Sequence, residues 1–520
     1  MWSCFLTGVA VAAFAAALSA QVPRQTFRTT TRLVEVSVVV TDKAGNPVPG
    51  LGQGDFTISE DGVRQTISIF QVNDTREATA VAGMTPAAGA TAGRTFTNKV
   101  DNPAGSSTVI LLDRLNAAFD SQWFARKHVN AYLESMRPGD RGALYVLDGA
   151  IRVLHDFTTD RSSLRLALEQ YTVRPSGHYD ASNEPPAANP DGGVSVWLAD
   201  PTDNVAEFFA ERRVRDTFSA LRVLARHLSG VAGRKGIVWI SEAFTIPERE
   251  GRQEFLERMR HATQALSDAQ VALYPVDARG LVGAISLNRG KPAFTTFAGV
   301  RGNIDTMRIV AEETGGRAFA NSNALDASIR HAVNDSRLTY VLGYYPADVK
   351  WDGRFRPLSV KVNRSGLIVR HRRGYLAGAA ASNDPKARDA ALREAFQGPL
   401  QSTTVGLSAR AELGASATQV KINLSVDPST ITLDRDGGTW RGAIDVLIAD
   451  VSPKGLGTIN GSANLDLTLT DEGRAKAMRD GLPITRTVPV RPGFHQLRVI
   501  VRDVPSGHVG SLLIPASQLK

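Results

Sequence analysis

Four short apolar runs constrain this chain more than anything else in it: TVILL (108–112), ALYVL (143–147), GIVWI (236–240) and VALYPV (271–276). Each is apolar on both faces of an extended chain, so each belongs in a sheet covered on both sides. Amphipathic segments separate them. Val129, Tyr132, Leu133 and Met136 recur at helical spacing, as do Val214, Phe218, Leu221, Ala225 and Leu228. Buried strands alternating with amphipathic helices predict an open, doubly wound α/β unit over 105–336. Within it LDGAIRVL (147–154) places an Asp-Gly turn between two strand runs, which predicts one antiparallel hairpin in an otherwise parallel sheet. Segment 172–204 is rich in Pro, Asn and Asp without periodicity and reads as a surface insertion.

The flanks follow a different rule. In RLVEVSVVVTDKAGNPVPGLGQGDFTISEDGVRQTISIF (32–70), Val34, Val36, Val38 and Val40 share one face at period two, and KAGNPVPG and EDG supply turns. This predicts a small β unit over 27–75, followed by an Ala-, Gly- and Thr-dominated linker at 76–104. Strand patterns return in RLTYVLGYYP, LSVKV and LIVRHRRGYL, within 337–376. Neither β segment has enough strands to stabilise a sheet alone, so the two are expected to pair into one β-sandwich with the α/β unit inserted between its halves. Residues 377–400 are Ala-rich and charged and read as a helical linker. Residues 401–520, with turns at RDGG, SPKG, RPG and PSG, read as an all-β sandwich. The fold class is thus α/β plus all-β, with no internal repeat.

At 520 residues the chain is long enough for three to four domains. Its 60 basic and 52 acidic residues give a net charge of +8, but the basic residues are scattered and the densest run, HRRGY (371–375), is short. That is a solvated surface and argues against a nucleic-acid partner. The opening MWSCFLTGVAVAAFAAALSAQ has no charge in residues 1–20 and ends in small residues, as a cleavable secretory signal does, although the usual Lys or Arg before the apolar run is missing. The competing reading is an uncleaved anchor. Cleavage before Gln21 removes Cys4, the sole cysteine, and leaves a chain incapable of disulfides. No second apolar run of membrane-spanning length follows. The expectation is a secreted protein, periplasmic or extracellular.

The first apolar run ends abruptly in Asp113, within STVILLDRLNAAFD (107–120). Ligands of doubly wound sheets bind beyond the carboxyl ends of strands where strand order reverses. If 236–240 neighbours 108–112, Asp113 and Glu242 emerge in the same crevice. Two carboxylates there suit a hard cation such as Mg²⁺ or Ca²⁺. A structural role for Asp113, as a cap of the next helix or a partner of a nearby Arg such as Arg114, is favoured over an ion. Other chemistry finds no support. The histidines lack HExxH or HxxxH spacing, no GxSxG elbow occurs, and GVAGRKG (230–236) precedes a strand where a phosphate loop follows one. DRDGG (434–438) reads as a hairpin turn, and Trp239, Tyr274 and Tyr345 read as core.

Several stretches together resemble a known family: LVEVSVVVTDKAGNPVPGL with DFTISEDGVRQTI, ILLDRLN, GDRGALYVLDGAIRVLHDFTTD, GRKGIVWISEAF, YPVDARGL, AEETGGRAF, and YVLGYYP with FRPLSVKVNRSGLIVRHRRGYLA. Segment 105–345 resembles a von Willebrand factor type A domain, and residues 25–380 resemble the VWFA-related proteins of Acidobacteria. The resemblance implies a Rossmann-like fold. It also implies a metal site built from an Asp-x-Ser-x-Ser motif, a distant Thr and a distant Asp. Asp113 matches the first Asp and Thr217, in RDTFSAL, the Thr. Glu242 stands in SEAF where Thr-Asp-Gly is usual. Leu115 and Ala117 occupy the two serine positions and cannot ligate, and Asn116 lies at the wrong spacing. The site is degenerate: no tightly held cofactor is expected, and any Mg²⁺ or Ca²⁺ affinity should be about millimolar or weaker.

Three function classes follow. The first is a secreted, non-enzymatic binding or adhesion module with a protein or cell-surface partner, and it fits best. The second is a structural scaffold of an envelope assembly. A hydrolase ranks last, for want of a catalytic constellation.

Overall fold

The computed structural model describes residues 33–75, 95–99, 106–177, 179, 201–231, 233–242, 252–280, 304–346, 352–377, 385–414, 418–452 and 457–519. The segment expected to be a signal, 1–20, and the middle of the 172–204 insertion lie outside these.

In chain order the N-terminal strands are β1 (Val34–Thr41), β2 (Phe56–Glu60), β3 (Val63–Gln65), β4 (Ile69–Asp74) and β5 (Thr95–Thr97). The α/β unit comprises β6 (Ser107–Asp113), α1 (Phe119–Glu134), β7 (Arg141–Asp148), β8 (Ala150–Thr158), α2 (Arg161–Gln170), α3 (Pro201–Leu228), β9 (Lys235–Ser241), α4 (Arg252–Asp268), β10 (Val271–Asp277), α5 (304–313) and α6 (Leu325–Asp335). Then come β11 (Leu338–Tyr344), β12 (Phe355–Val362), β13 (Ile368–Arg370), β14 (Gly374–Leu376) and α7 (Pro385–Gln397). The C-terminal elements are β15 (Leu407–Leu413), β16 (Gln419–Val426), β17 (Asp434–Asp436), β18 (Thr439–Val451), β19 (Gly457–Leu469), α8 (Asp471–Asp480), β20 (Leu482–Pro489), β21 (Gln496–Asp503) and β22 (Val509–Pro515).

The central sheet has the order β10-β9-β6-β7-β8, parallel except for the β7–β8 hairpin, whose turn places Gly149 at φ +70°. Alternate residues of its strands enter two separate cores. Val109, Leu111, Ile237 and Trp239 face α3, α4 and α5, while Ile110, Leu112, Val238 and Ile240 face α1, α2 and α6. Helices on both faces explain why these strands carry no polar side: every residue of β6, β9 and β10 is buried. This is a Rossmann-like arrangement, with β6 as the central strand from which the order departs in both directions.

β1 pairs antiparallel with β11, and β2 with β12, so strands from before and after the α/β unit share sheets of order β13-β1-β11-β4 and β14-β12-β2-β3. Val34, Val36, Val38 and Val40, together with Ile58, Tyr340 and Val360, form the core common to the two sheets. The α/β unit leaves and re-enters at one point, because Asp74 at the end of β4 lies opposite Leu338 at the start of β11. Close backbone approach fixes how the two units meet. A Cβ on Gly315, just after α5, would lie 2.7 Å from the backbone at His371 and Arg372, between β13 and β14.

Four sequence readings need correction. Residues 95–99, read as linker, add β5 to the edge of β15, in the sheet β20-β16-β15-β5. Asn98 holds them there: it is buried, donates to the Ser402 and Val405 carbonyls at 2.8 and 2.9 Å, and accepts from Leu407 N–H at 2.7 Å. Its low-complexity surroundings conceal this. The insertion ends before 204, since α3 begins at Pro201. The 377–400 segment, read as a helical linker, does hold a helix, α7, but this helix is docked on its neighbours. It packs Leu392, Ala395 and Phe396 on Leu447, Ile500 and Val509, and Glu394 pairs with Arg222 and Arg226 of α3. The C-terminal unit is not all-β, because α8 lies between β19 and β20, capped by the Thr470 hydroxyl accepting from Gly473 N–H and ended by Gly481 at φ +79°. The DRDGG turn joins β17 to β18 through two positive-φ glycines.

Asn98→Ala removes three buried hydrogen bonds, among them the acceptor of the Leu407 N–H, so it should destabilise the C-terminal unit by about 2–4 kcal/mol. Denaturant unfolding checks this; a change within about 0.5 kcal/mol, typical of an inert surface site, would mean that β5 is not integral.

Candidate functional site

Asp113 ends β6 at the carboxyl edge of the sheet. Period-two alternation puts it on the face of Val109 and Leu111, and puts Ser241 on the face of Ile237 and Trp239, the side covered by α3. The side chains therefore converge without any contribution from loops. Asp113 Oδ2 accepts from Trp239 Nε1 at 2.8 Å, from Ser241 Oγ at 2.7 Å and from Asn116 Nδ2 at 2.9 Å. Asp113 Oδ1 accepts from Asn116 N–H at 2.9 Å. Burial pushes this carboxyl above the usual carboxylate range, opposed by the donors that surround it.

Asn116 is the hub of the site and is fully buried. One hydrogen of its amide goes to Asp113 and the other to Thr217 Oγ1 at 2.8 Å, while the Thr217 hydroxyl donates to the Arg213 carbonyl at 2.7 Å. The opposite orientation of the amide would set its oxygen against the carboxylate, so the network fixes the assignment. Asn116 Oδ1 has no hydrogen-bond partner among the described residues. The loop carrying it is tied down on both sides: Arg114 and Leu115 N–H both donate to the Leu147 carbonyl, and Glu242 N–H donates to the Asn116 carbonyl at 3.2 Å. Leu115, at 2% exposure, packs into the core, and Ala117, at 1%, lines a small cavity beside Asp113.

Glu242 follows β9 and is buried, but its side chain turns away from Asp113. Its Oε1 accepts from Ala118 N–H at 3.0 Å, the N-cap residue of α1, where the positive end of the helix favours a carboxylate. Its Oε2 accepts from the Tyr179 hydroxyl. Tyr179 lies within the insertion and closes over the crevice; burial and then the charge of Glu242 raise its phenol. Arg213 of α3 stacks on Tyr179, 5.1 Å from the ring centroid, and Arg279 forms a double hydrogen bond with Asp277 at 2.8 Å.

Asp113, Thr217 and Glu242 thus meet at one end of the sheet, joined through residues 116–118 and not to each other. Asp113 neither caps α1 nor pairs with Arg114, which instead pairs with Asp148 at 2.8 Å. Sequence reading set Asn116 aside on spacing and took Trp239 as core. Trp239 is indeed fully buried, but its indole N–H serves the site. Asp followed three residues later by Asn is a turn signal that would have found the first bond. Nothing in the sequence points to Tyr179. Tyr274 is buried, whereas Tyr345 lies beyond β11 at 47% exposure.

A divalent cation between Asp113 and Thr217 would need lone pairs that already receive hydrogens, and the Asn116 amide stands between the two residues. The donor set does not fit an ion. Among the described residues no group of three or more His, Cys, Asp or Glu is placed to hold a metal.

No protein-family model matches the chain, and no curated protein matches it. Among solved structures it is similar to a von Willebrand factor type A protein from Catenulispora acidiphila (11% identity, 88% of this chain and 75% of that one, TM-score 0.24). It is also similar to BatB from Bacteroides thetaiotaomicron (16% identity, 45% and 98%, TM-score 0.26) and to an aerotolerance-related membrane protein from Bacteroides fragilis (18% identity, 44% and 99%, TM-score 0.26). At these scores the likenesses carry no argument about function.

The amide's position generates a prediction. Asn116→Asp should destabilise the protein in chelator by about 2–4 kcal/mol, because two buried carboxylates meet. Added Mg²⁺ or Ca²⁺ should recover much of that loss in the variant and leave the wild type unchanged. Thermal melts check both; a wild type that gains as much as the variant contradicts the placement.

Proposed function

We propose that this chain is a secreted, non-enzymatic binding module. Its type A α/β unit, flanked by β-sandwich units, engages a protein or cell-surface partner through a degenerate, ion-independent crevice. One observation carries the reading: among the described residues four donors surround the Asp113 carboxylate, one of them an amide that also binds Thr217. A site so satisfied lacks the open coordination position or free base that metal-assisted hydrolysis requires. Glu242 is likewise engaged by Ala118 and Tyr179. Asp113, Thr217 and Glu242 then act as positioning residues for the 114–118 loop, not as metal ligands.

The scaffold reading draws on a separate observation. The α/β unit is bonded to the C-terminal unit through Glu394 with Arg222 and Arg226, and through Gly230 N–H donating to Thr403 Oγ1 at 2.7 Å. Fixed domain spacing suits a spacer as well as a binder. No helix among the described residues is long and apolar enough to cross a membrane.

Two measurements test the proposal. Titration calorimetry with Mg²⁺ and Ca²⁺ should give affinities of about millimolar or weaker; micromolar binding that disappears in Asp113→Ala would restore an ion-dependent mechanism. Affinity capture from the native envelope fraction should recover the same partner with and without chelator, whereas a chain that captures nothing specific favours the scaffold. Export has its own readout: intact mass should place the N-terminus of the exported protein at Gln21, and retention of residues 1–20 would mean an anchor.

A further inference from the structure

One strand of the C-terminal unit has an open edge. β19 pairs with β18 along its whole length, and among the described residues no backbone hydrogen bond reaches its other side. It runs for 13 residues, GTINGSANLDLTL, with Asp466 as its sole charge and no proline. Free edges of this length normally carry lysines, prolines or bulges that keep another strand from adding. Other strands here are guarded in such ways. β3, β5, β13 and β14 have three residues each. β8 breaks register twice and carries Arg152, His155 and Asp156. β20, which lies beside β19 so that a Cβ on Gly461 would come 3.0 Å from Val488, has Pro483 and Pro489. In β19 the one guard is a bulge at Asn460, which leaves 461–469 in unbroken register with β18.

The two faces of this stretch differ. Leu465, Leu467 and Leu469 turn inward onto the core of the unit, while Ser462, Asn464, Asp466 and Thr468 are exposed. A second copy of the same strand matches both faces. A two-fold axis normal to the sheet keeps each face on its own side, and an antiparallel pair centred on Leu465 uses the whole bulge-free stretch. In that register Gly461 faces Leu469, Ala463 faces Leu467 and Leu465 faces itself, so small residues oppose large ones along the core row. On the outer row Ser462 faces Thr468 and Asn464 faces Asp466, pairs that can hydrogen-bond between strands, and no like charges meet. Moving the centre forward to Asp466 would set that carboxylate against its own copy. Moving it back to Asn464 would draw in the bulge or shorten the pair. We propose that β19 is a self-association edge, through which two copies of this chain join their C-terminal sheets into one continuous sheet about a two-fold axis. The inference is independent of what the crevice around Asp113 binds.

Sedimentation of the full mature chain over rising concentration tests this. The mass should move from one chain to two, with a dissociation constant on the order of micromolar to tens of micromolar, because pairing along one strand makes an interface at the small end of the specific range. Charge swaps read the register. Ser462→Lys with Thr468→Lys sets like charges opposite each other at both ends of the pair and should weaken dimerisation by about tenfold or more. Ser462→Lys with Thr468→Glu sets opposite charges there and should leave the dimer as tight as the wild type or tighter. Both positions are exposed, and the second variant controls for the folding of the first. A chain that stays monomeric to about ten times that range, an assembly larger than two, or a dimer that answers alike to both variants would overturn the inference.

Discussion

The relation between the units rests on Arg337. This residue stands between α6 and β11, and its guanidinium grips both oxygens of Asp140, the residue before β7, with both side chains about nine-tenths buried. Its carbonyl accepts the Thr75 N–H at 2.7 Å and the Thr75 hydroxyl at 3.2 Å, where the chain departs from β4. One residue thus ties the entry of the inserted unit, its exit and its first crossover together. A buried ion pair contributes little net stability relative to apolar packing, but removing one partner leaves a charge stranded. Its value lies in registry. With Asp74 held opposite Leu338, β11 can pair with β1 and β4 at once, and the valine face of β1 meets Tyr340 and Leu342 in one register.

How much of this the sequence discloses depends on the range of the interaction that decides it. The central strands are legible because burial on both faces forces continuous apolar runs. The pairing of 32–70 with 337–376 is legible because neither half is self-sufficient. β5 is not legible: three residues in a Thr- and Gly-rich stretch become a strand only because β15 offers a free edge and Asn98 meets carbonyls some three hundred positions away. α8 was missed for another reason, as its face contributes Ala477 alone to the interior and its cap and terminal glycine carry most of the signal. At the site, the ends of the apolar runs and the switch-point rule put Asp113 and Glu242 at one edge of the sheet. They could not show that Glu242 would turn toward Ala118 and Tyr179, a choice made by the helix end and by the insertion.

Asn116 ties the crevice beyond β6 together through its amide and its backbone N–H. A divalent cation organises oxygens by charge, and it exchanges, so the loop around it can respond to loading. An amide does the geometric part of that task with two hydrogens and no net charge. It has nothing left to offer an incoming carboxylate, since one hydrogen is committed to Asp113 and the other to Thr217. Under the reading proposed above, recognition therefore shifts from the floor of the crevice to its rim. The rim is held from two directions: Asp113 fixes residues 114–116 from below, and Glu242 fixes Ala118 from the side, so the start of α1 has little freedom to move. Tyr179 then becomes the adjustable part. Its hydroxyl reaches Glu242, its ring face meets Arg213 and its N–H donates to Ser176 Oγ at 3.3 Å, and it belongs to the insertion and not to the sheet. Displacing it would expose Arg213 and Glu242 together, one cation and one anion, without disturbing the Asp113–Asn116–Thr217 network. A partner that replaces Tyr179 must match that pair of charges, and this is a stricter condition than supplying one acidic group to a metal.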